Sequence, residues 1–178
     1  MKVLVLNGSP RKKGNSMLLA EAFCRGAEEL GHELLYFDVA QMDIHSCIAC
    51  DVCRREGSCF RRDAMQEIYP HLVDADAIVL ATPLYYFGIS SQLKRAIDRF
   101  YGVNTAMREH PKKAFLLASC GDPEPETMDA LLAHYHALCA YCHWEDQGQV
   151  LAVGFYGAGA VAEHPCLEEA YALGKKLL

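Results

Sequence analysis

Short, uninterrupted apolar runs recur along this chain, and they constrain its fold more than any other sequence feature. Five such runs occur, at 3–6, 34–37, 77–81, 114–118 and 150–153. Runs of this length are typical of parallel strands that are covered on both faces. Because amphipathic helical patterns separate the runs, we predict a doubly wound α/β sheet with right-handed crossovers.

The helices can be placed by the spacing of their apolar residues. One helix is predicted to begin near Asn15 or Ser16 and to end before Gly31. Its buried face is formed by Leu19, Phe23, Ala27 and Leu30. A second helix is predicted to begin at Ser90 or Ser91, and others lie near 64–73, 125–141 and 163–177. Five strands and five helices in 178 residues predict a single domain covering 1–178.

Composition narrows the functional classes. The formal net charge is −6, which argues against a general nucleic-acid binder. The apolar runs are too short to span a membrane, and residues 1–9 do not resemble a secretory signal. Nine cysteines, an odd number, then favour a reducing compartment. We therefore expect a cytoplasmic protein whose clustered cysteines serve metal, cluster or redox chemistry.

A cysteine-rich insertion loop is expected at 39–63, where no strand or helix pattern is convincing. Loops of this length are usually functional or disordered, and the cysteines argue against disorder. The four cysteines are spaced C-x2-C-x2-C-x5-C, at Cys47, Cys50, Cys53 and Cys59. Three cysteines at intervals of three can wrap an iron–sulfur cluster, and a fourth completes the set of thiolates.

The segment after the first strand combines glycines, hydroxyls and an arginine, in Gly8-Ser9-Pro10-Arg11 and Gly14-Asn15-Ser16. A helix N-terminus with free N–H groups beside an arginine is suited to anion binding. Neither the dinucleotide pattern G-x-G-x-x-G nor the P-loop pattern is present. These residues alone therefore favour a phosphate site and a simple helix-capping loop about equally.

The loop after the third strand favours the phosphate site. It carries the consecutive aromatic residues Tyr85, Tyr86 and Phe87, which as an alternative could be core residues. In the sheet order 2-1-3-4-5, strands 1 and 3 flank the point at which open α/β sheets bind ligands. An anion cradle facing aromatic walls suits a ligand with a phosphate at one end and a flat ring at the other. FMN is such a ligand.

These motifs resemble those of the NADPH-dependent FMN reductase family of flavodoxin-like proteins. The resemblance implies a three-layer sandwich, with a five-stranded parallel sheet in the order 2-1-3-4-5 and helices on both faces. It implies that the phosphate is held by Ser9, Arg11, Asn15 and Ser16. It implies that the ring and ribityl are approached by Pro83, Leu84, Tyr85, Tyr86 and Gly88. A third contact loop then contains Ser119 and Gly121.

The cysteine spacing resembles that of the iron–sulfur flavoprotein branch of the same family. This implies a [4Fe-4S] cluster on Cys47, Cys50, Cys53 and Cys59. Two alternatives stay open: a cluster-free loop, as in flavin reductase relatives, and structural zinc. The loop also contains four arginines, Arg54, Arg55, Arg61 and Arg62. They could offset cluster charge, form a solvated face, dock an acidic electron carrier or attract the 2′-phosphate of NADPH.

A further group of metal-binding residue types lies on the fourth predicted helix and just beyond it, at His134, His136, Cys139, Cys142 and His143. His136, Cys139 and His143 would share one helical face. We expect packing in the core or at a subunit interface, with a metal site as the alternative.

We therefore expect an FMN-dependent NAD(P)H oxidoreductase that passes electrons through bound FMN to a quinone, a flavin or another small acceptor. No catalytic side chain is expected, because hydride transfer takes place at flavin N5. The alternative is an iron–sulfur flavoprotein that relays electrons between FMN, a [4Fe-4S] cluster and a redox protein such as ferredoxin. A flavin-binding module without turnover is a third hypothesis. The resemblance also implies a homodimer or homotetramer, and we expect neither nucleic acid nor a membrane as a partner.

Overall fold

A computed structural model describes residues 1–177 and contains a central parallel sheet. The strands are β1 (Lys2–Asn7), β2 (Glu33–Phe37), β3 (Ala77–Tyr85), β4 (Gly88–Ile89), β5 (Lys113–Ser119) and β6 (Glu145–Ala152). β4 is a two-residue strand that pairs antiparallel with the end of β3. The other five are parallel, in the order β2-β1-β3-β5-β6. This confirms the predicted flavodoxin-like order.

Helices cover both faces of the sheet. They are α1 (Asn15–Glu28), α2 (Val52–Glu56), α3 (Met65–Asp74), α4 (Ser91–Arg99), α5 (Asn104–Glu109), α6 (Asp129–Cys142) and α7 (Cys166–Gly174). Short 3-10 turns occupy Phe100–Val103 and Pro125–Met128. The buried side chains of α1 and α7 pack on one face, and those of α3, α4 and α6 pack on the other. Among residues 1–177, no helix is long and apolar enough to cross a membrane.

Burial on both faces explains the uninterrupted apolar runs. In β1, Val3 and Val5 join the core beneath α1 and α7, while Leu4 and Leu6 join the core on the opposite side. Because successive side chains of a strand point to opposite faces, every position of such a strand must be apolar.

The strand register brings the candidate loops to one edge of the sheet. Asn7 at the end of β1 pairs with Ala81 of β3, and Pro83 of β3 pairs with Ser119 at the end of β5. The loops after β1 and β5 therefore begin beside residues 81–83 of β3, at the carboxyl ends of the strands, and β3 continues to Tyr85.

The cysteine-rich segment departs from the predicted structureless loop. It contains α2, a five-residue helix with left-handed residues at both ends, Asp51 (φ 56°) and Gly57 (φ 75°). A helix this short buries none of its own side chains and therefore leaves no apolar periodicity in the sequence.

Three other boundaries differ from the predictions. α1 ends at Glu28, and Leu30 is 42% exposed because the chain turns at Gly31, which has a φ of +75°. β6 begins five residues before the apolar run, in a polar stretch with a bulge opposite Ala114 and Phe115. As the last strand of the sheet order, β6 lies at an edge, where polar residues are tolerated. The helix α5 and the turn before it were not predicted.

Candidate functional site

The loop between β1 and α1 is a tight turn. The Gly8 amide donates to the carbonyl of Ala81 on β3 at 2.8 Å, and the Ser9 amide donates to Asn7 Oδ1 at 3.1 Å. A Cβ atom on Gly14 would lie 2.2 Å from Ser9 Oγ, so a side chain there would collide with the loop. These contacts hold the loop directly before the N-terminus of α1.

The N-terminus of α1 carries the features of an anion site. Its N-cap, Gly14, offers no side-chain hydrogen bond to the first-turn amides, and that turn contains no acidic residue. The Ser16 side chain is 1% exposed, and its Oγ has no hydrogen-bond partner. Buried polar groups are rarely left unpaired. A phosphate in the cleft would supply an acceptor for this hydroxyl and for the free amides.

Arg11 and Asn15 make polar contacts with the segment that follows β6. Arg11 Nη1 donates to the carbonyl of Tyr156 at 3.0 Å. Asn15 Nδ2 donates to the carbonyls of Phe155 and Gly157 at 3.0 and 2.9 Å, and Asn15 Oδ1 accepts from the Val161 amide at 3.4 Å. Asn15 therefore fastens this segment to the start of α1.

The loop after β3 is joined to the phosphate loop through Ser90. Ser90 Oγ donates to the carbonyl of Gly8 at 2.8 Å and accepts from the Leu93 amide, which caps α4. The Ser90 amide donates to Thr82 Oγ1 at 3.0 Å. These bonds fix the relative position of the two loops.

A hairpin turn between β3 and β4 projects two aromatic side chains outward. Tyr86 and Phe87 both have positive φ, 46° and 63°, which is costly for residues with a Cβ. Tyr86 is fully exposed, with a relative accessibility of 101%. Neither Tyr86 nor Gly88 lines the cleft, whereas Pro83, Leu84 and Tyr85 do.

The third wall of the cleft begins at the end of β5 and pairs with the segment after β6. The amides of Gly154 and Phe155 donate to the carbonyls of Asp122 and Cys120 at 2.7 and 2.8 Å. A Cβ atom on Gly121 would lie 2.9 Å from the Tyr156 ring, so the glycine allows that ring to pack close. Burial raises the pKa of the neighbouring Cys120 thiol.

Together these walls enclose a cleft of about 310 Å³, which is in the range of small-molecule sites. It gathers nine of the predicted residues: Ser9, Arg11, Asn15, Ser16, Pro83, Leu84, Tyr85, Ser119 and Gly121. The lining residues that the sequence did not predict are Gly14, Cys120, Asp122, Phe155, Tyr156 and Ala158. Three of these lie after β6, where the glycines at 154, 157 and 159 were the available signal.

The four cysteines of the insertion line a second, smaller cleft of about 30 Å³, together with Tyr69, Arg99 and Gly102. All four are free thiols; Cys47 and Cys50 are exposed, while Cys53 and Cys59 are partly buried. Within residues 1–177, no three His, Cys, Asp or Glu side chains converge as ligands of one metal ion. The ligands of a cluster bind different irons, so a cluster does not require that convergence. Four thiols that line one cleft match a [4Fe-4S] cluster in the type and number of their ligand atoms.

A buried ion pair lies beneath the cysteine cleft. Arg99 Nη1 and Nη2 donate to the two carboxylate oxygens of Asp63 at 2.6 and 3.1 Å, and Nη2 also donates to Cys59 Sγ at 3.4 Å. Burial alone raises the pKa of Asp63, but hydrogen bonds from Arg99 and from the His45 and Met65 amides lower it below its ordinary value. Sequence reasoning did not single out Arg99 as a site residue.

Burial and the surrounding hydrogen-bond donors have opposite effects on the pKa of the Cys59 thiol. Desolvation raises the pKa of this thiol, whereas hydrogen bonds from the Arg61 amide, Tyr69 and Arg99 lower it. The net shift is downward, which favours the thiolate, the form that binds metal.

The histidines and cysteines of α6 do not form a common site. Cys139 and Cys142 are buried in the core, and burial raises the pKa of each thiol to about 11. His143 lies beyond the helix with a φ of 59° and contacts Arg108, so it does not share a face with His136 and Cys139. His136 instead pairs with Asp146 at 3.4 Å.

Comparison of the sequence with those of known proteins identifies relatives. An iron–sulfur flavoprotein of Methanocaldococcus jannaschii, MJ1083, is 38% identical over 99 residues, which cover 56% of this chain and 51% of that protein. This chain thus spans about half the length of that relative. YwqN of Bacillus subtilis, whose name refers to NAD(P)H and FMN, is 25% identical over 185 residues and covers 99% of this chain and 98% of its own.

A solved structure of similar fold is that of NAD(P)H:quinone oxidoreductase from Methanothermobacter marburgensis. Its TM-score is 0.78 at 22% identity, over 99% of this chain and 96% of that one. The family model described as NADPH-dependent FMN reductase matches residues 1–156, which include both cleft-forming motifs and the cysteine segment. The chain therefore belongs to the NADPH-dependent FMN reductase family.

Proposed function

We propose that this chain is an FMN-dependent oxidoreductase that takes electrons from NAD(P)H and passes them to a small acceptor such as a quinone or a flavin. The observation that carries the proposal is the cleft of about 310 Å³ with an unpartnered, buried Ser16 hydroxyl at the N-terminus of α1. The family and the names of YwqN and of the quinone oxidoreductase support the same reaction class.

In this proposal the two ends of the cleft bind different parts of FMN. The amides of the α1 N-terminus, with Ser9, Arg11 and Ser16, would hold the phosphate. Residues 83–85 and 119–121, with Tyr156, would flank the ring and ribityl. When bound, FMN supplies the hydride and electron chemistry, and the protein supplies orientation and electrostatics. The exposed side chains of Tyr86 and Phe87 stand at the rim, where a nicotinamide or an acceptor would enter.

The test is a purification without oxygen, followed by measurement of FMN content and of NADH and NADPH oxidation with a quinone acceptor. We expect one FMN per chain and steady-state oxidation of at least one of the two donors. Bound FMN without turnover of either donor would indicate a flavin-binding module. Absence of flavin, together with no binding of added FMN, would contradict the proposal.

A second candidate function is electron relay by an iron–sulfur flavoprotein. It is favoured by one observation, the gathering of four free cysteines around a single cleft. Cys47, Cys50, Cys53 and Cys59 would hold a [4Fe-4S] cluster, which would exchange single electrons with a redox protein such as ferredoxin. The name of the M. jannaschii relative agrees with this candidate.

Iron and acid-labile sulfide assays on the oxygen-free protein separate the two candidates. About four of each per chain, expected for a [4Fe-4S] cluster, would support the relay. Stoichiometric FMN with neither iron nor sulfide would leave the oxidoreductase as the sole candidate.

The single domain over 1–178, the cytoplasmic location and the homodimer or homotetramer stay predictions. Light scattering of the purified protein measures the oligomeric state.

A further inference from the structure

Arg99, the last residue of α4, is buried beneath the cysteine cleft. We infer that Arg99 is a positioning residue for Cys59. Its guanidinium holds the Cys59 sulfur at the cleft and donates a hydrogen bond to it, which sets the reduction potential of a cluster bound there. This inference rests on the second candidate function, because it concerns a cluster ligand.

The burial of the guanidinium is the first observation. The side chains of Arg99 and Asp63 are 1% and 3% exposed. Desolvation of a buried ion pair offsets much of its attraction, so such a pair contributes little to stability compared with apolar packing. An arginine at this position therefore calls for a role beyond packing, and its contacts indicate which one.

The arrangement of the donors is the second observation. Arg99 Nε donates to Tyr69 Oη at 3.2 Å, and Nη1 donates to the carbonyl of His45 at 2.8 Å in addition to Asp63. These acceptors hold the guanidinium plane in place. Nη2, held by Asp63 Oδ1 at 3.1 Å, then reaches Cys59 Sγ at 3.4 Å. Cys59 is thus the acceptor that belongs to the four-cysteine set.

The close packing around Tyr69 is the third observation. A Cβ atom on Gly102 would lie 2.8 Å from Tyr69 Oη, so the glycine leaves room for the hydroxyl that anchors Arg99. Both residues, with Arg99, line the same cleft as the cysteines. The support for Cys59 is therefore built from three elements: α3, α4 and the turn that follows α4.

The helix α4 connects the contacts that hold Cys59 to the cleft proposed for FMN. The helix has nine residues and so spans about 13 Å. Its N-cap, Ser90, binds the phosphate loop through Gly8, and its last residue, Arg99, binds Cys59. One rigid element therefore sets the positions of both clefts.

Hydrogen bonds to ligand sulfurs are among the factors that set the reduction potential of an iron–sulfur cluster. Such a bond stabilises the more negative, reduced form and so raises the potential. Groups that orient metal ligands also commonly affect metal affinity by about 10- to 100-fold. Removal of the Arg99 bond should therefore lower the cluster potential and speed the loss of iron.

The test uses the full chain, loaded with FMN and reconstituted with iron and sulfide without oxygen. In Arg99→Lys, which keeps a positive charge but lacks the planar fork, we expect a more negative cluster potential in a redox titration followed by electron paramagnetic resonance. Iron loss to a chelator should be at least about tenfold faster, while the flavin potential is unchanged. The matched control is Arg95→Lys on the same helix, which should match wild type in all three measurements.

A second variant keeps the inference testable if Arg99→Lys does not fold. Tyr69→Phe removes the hydroxyl that anchors Arg99 Nε and that also donates to Cys59, and it should shift the cluster potential in the same direction. An unchanged cluster potential and unchanged iron loss in the folded variants would overturn the inference alone. Failure of the wild-type chain to assemble a cluster would overturn the second candidate function and this inference together, while leaving the FMN oxidoreductase proposal intact.

Discussion

In the cleft proposed for FMN, the polar side chains differ in how many of their hydrogen bonds are already made within the protein. The amide of Asn15 is fully engaged with the segment after β6, and one nitrogen of Arg11 is engaged with Tyr156. The hydroxyl of Ser16 is unpartnered. In the proposed site, a ligand phosphate would therefore gain most hydrogen bonds from Ser16 and the remaining donors of Arg11, whereas Asn15 would act through the loop that it holds.

Replacement of Arg11 by alanine should weaken FMN binding about tenfold or more, because a hydrogen bond to a charged group contributes about 1.5–3 kcal/mol. Isothermal titration calorimetry of the FMN-free protein measures the change. Lys12→Ala is the matched control, since Lys12 is exposed on the same loop and does not line the cleft. Unchanged FMN affinity in Arg11→Ala would contradict the placement of the phosphate.

Replacement of Ser16 by alanine should preserve or raise the stability of the FMN-free protein but weaken its binding of FMN. Without FMN, the melting temperature should stay the same or rise, because an unpaired buried hydroxyl costs about 1–3 kcal/mol. FMN affinity should fall by about tenfold, as a charge-assisted hydrogen bond is lost. Calorimetry and thermal melts of the same samples measure both effects. A lower melting temperature without any loss of FMN affinity would mean that Ser16 has only a structural role.

At the residue scale, pH also acts on the buried pair of Asp63 and Arg99. Because the folded-state pKa of Asp63 is lowered, the pair stabilises the fold above the ordinary carboxyl pKa of about 4 and loses that effect as pH falls through the lowered value. Removal of one partner of a buried pair commonly costs about 3–5 kcal/mol. The melting temperature of Asp63→Asn should therefore lie below that of wild type at neutral pH, and the difference should shrink in acid. A pH-independent difference would contradict this prediction.

Among the elements, the crossing of α1 and α7 depends on two glycines that allow the backbones to touch. A Cβ atom on Gly26 would lie 2.1 Å from the carbonyl oxygen of Tyr171, and one on Gly174 would lie 2.1 Å from that of Phe23. The obstacles are backbone atoms, so neither helix can yield without moving as a whole. This close approach places α7 beside α1, the helix whose N-terminus is the proposed phosphate site.

Gly26→Ala should destabilise the protein, although alanine is favoured over glycine in helices by about 1 kcal/mol. Overpacking costs about 1–3 kcal/mol or more, and here the steric term should dominate. Urea denaturation measures the free energy of unfolding. Arg25→Ala, an exposed neighbour on α1, should change it by less than about 0.5 kcal/mol. Equal or greater stability in Gly26→Ala would show that the two helices can separate at little cost.

For the molecule as a whole, the two clefts are built from separate segments that meet through α4. The cleft proposed for FMN uses the end of β3 and the loops after β1, β5 and β6. The cysteine cleft uses 47–61 and residues of α3, α4 and the turn after α4. Loss of one cofactor should therefore leave the other site folded.

Cys53→Ser tests this separation. In the oxygen-free protein it should abolish or destabilise the cluster, because one thiolate ligand is lost, while FMN content stays at the wild-type level. Iron, sulfide and flavin assays on one sample measure both. Cys24→Ala, which alters a buried cysteine of the core, serves as the control and should retain iron. Joint loss of iron and FMN in Cys53→Ser would show that the two sites depend on each other.

Much of this architecture was determined by the sequence alone. The uninterrupted apolar runs are typical of strands covered on both faces, and their alternation with helices predicted a doubly wound sheet. The strand order followed from the family resemblance, and the structure has that order. The loops after β1 and β3 were predicted because their residue types carry the chemistry locally, in consecutive positions. The same holds for the cysteine spacing, which identified all four lining thiols.

Only the tertiary structure decided the contacts between segments that are distant along the chain. Arg11 meets the carbonyl of Tyr156 across 145 positions, and Arg99 meets Asp63 across 36. Nothing in the local spacing of these residues marks them as partners, because their meeting depends on how the crossovers stack helices and loops around the sheet. The outward direction of Tyr86 was likewise decided by a two-residue turn with positive φ at both positions. Local pattern encodes secondary structure and chemical type, whereas the geometry of a site built from four loops exists only once the sheet has assembled.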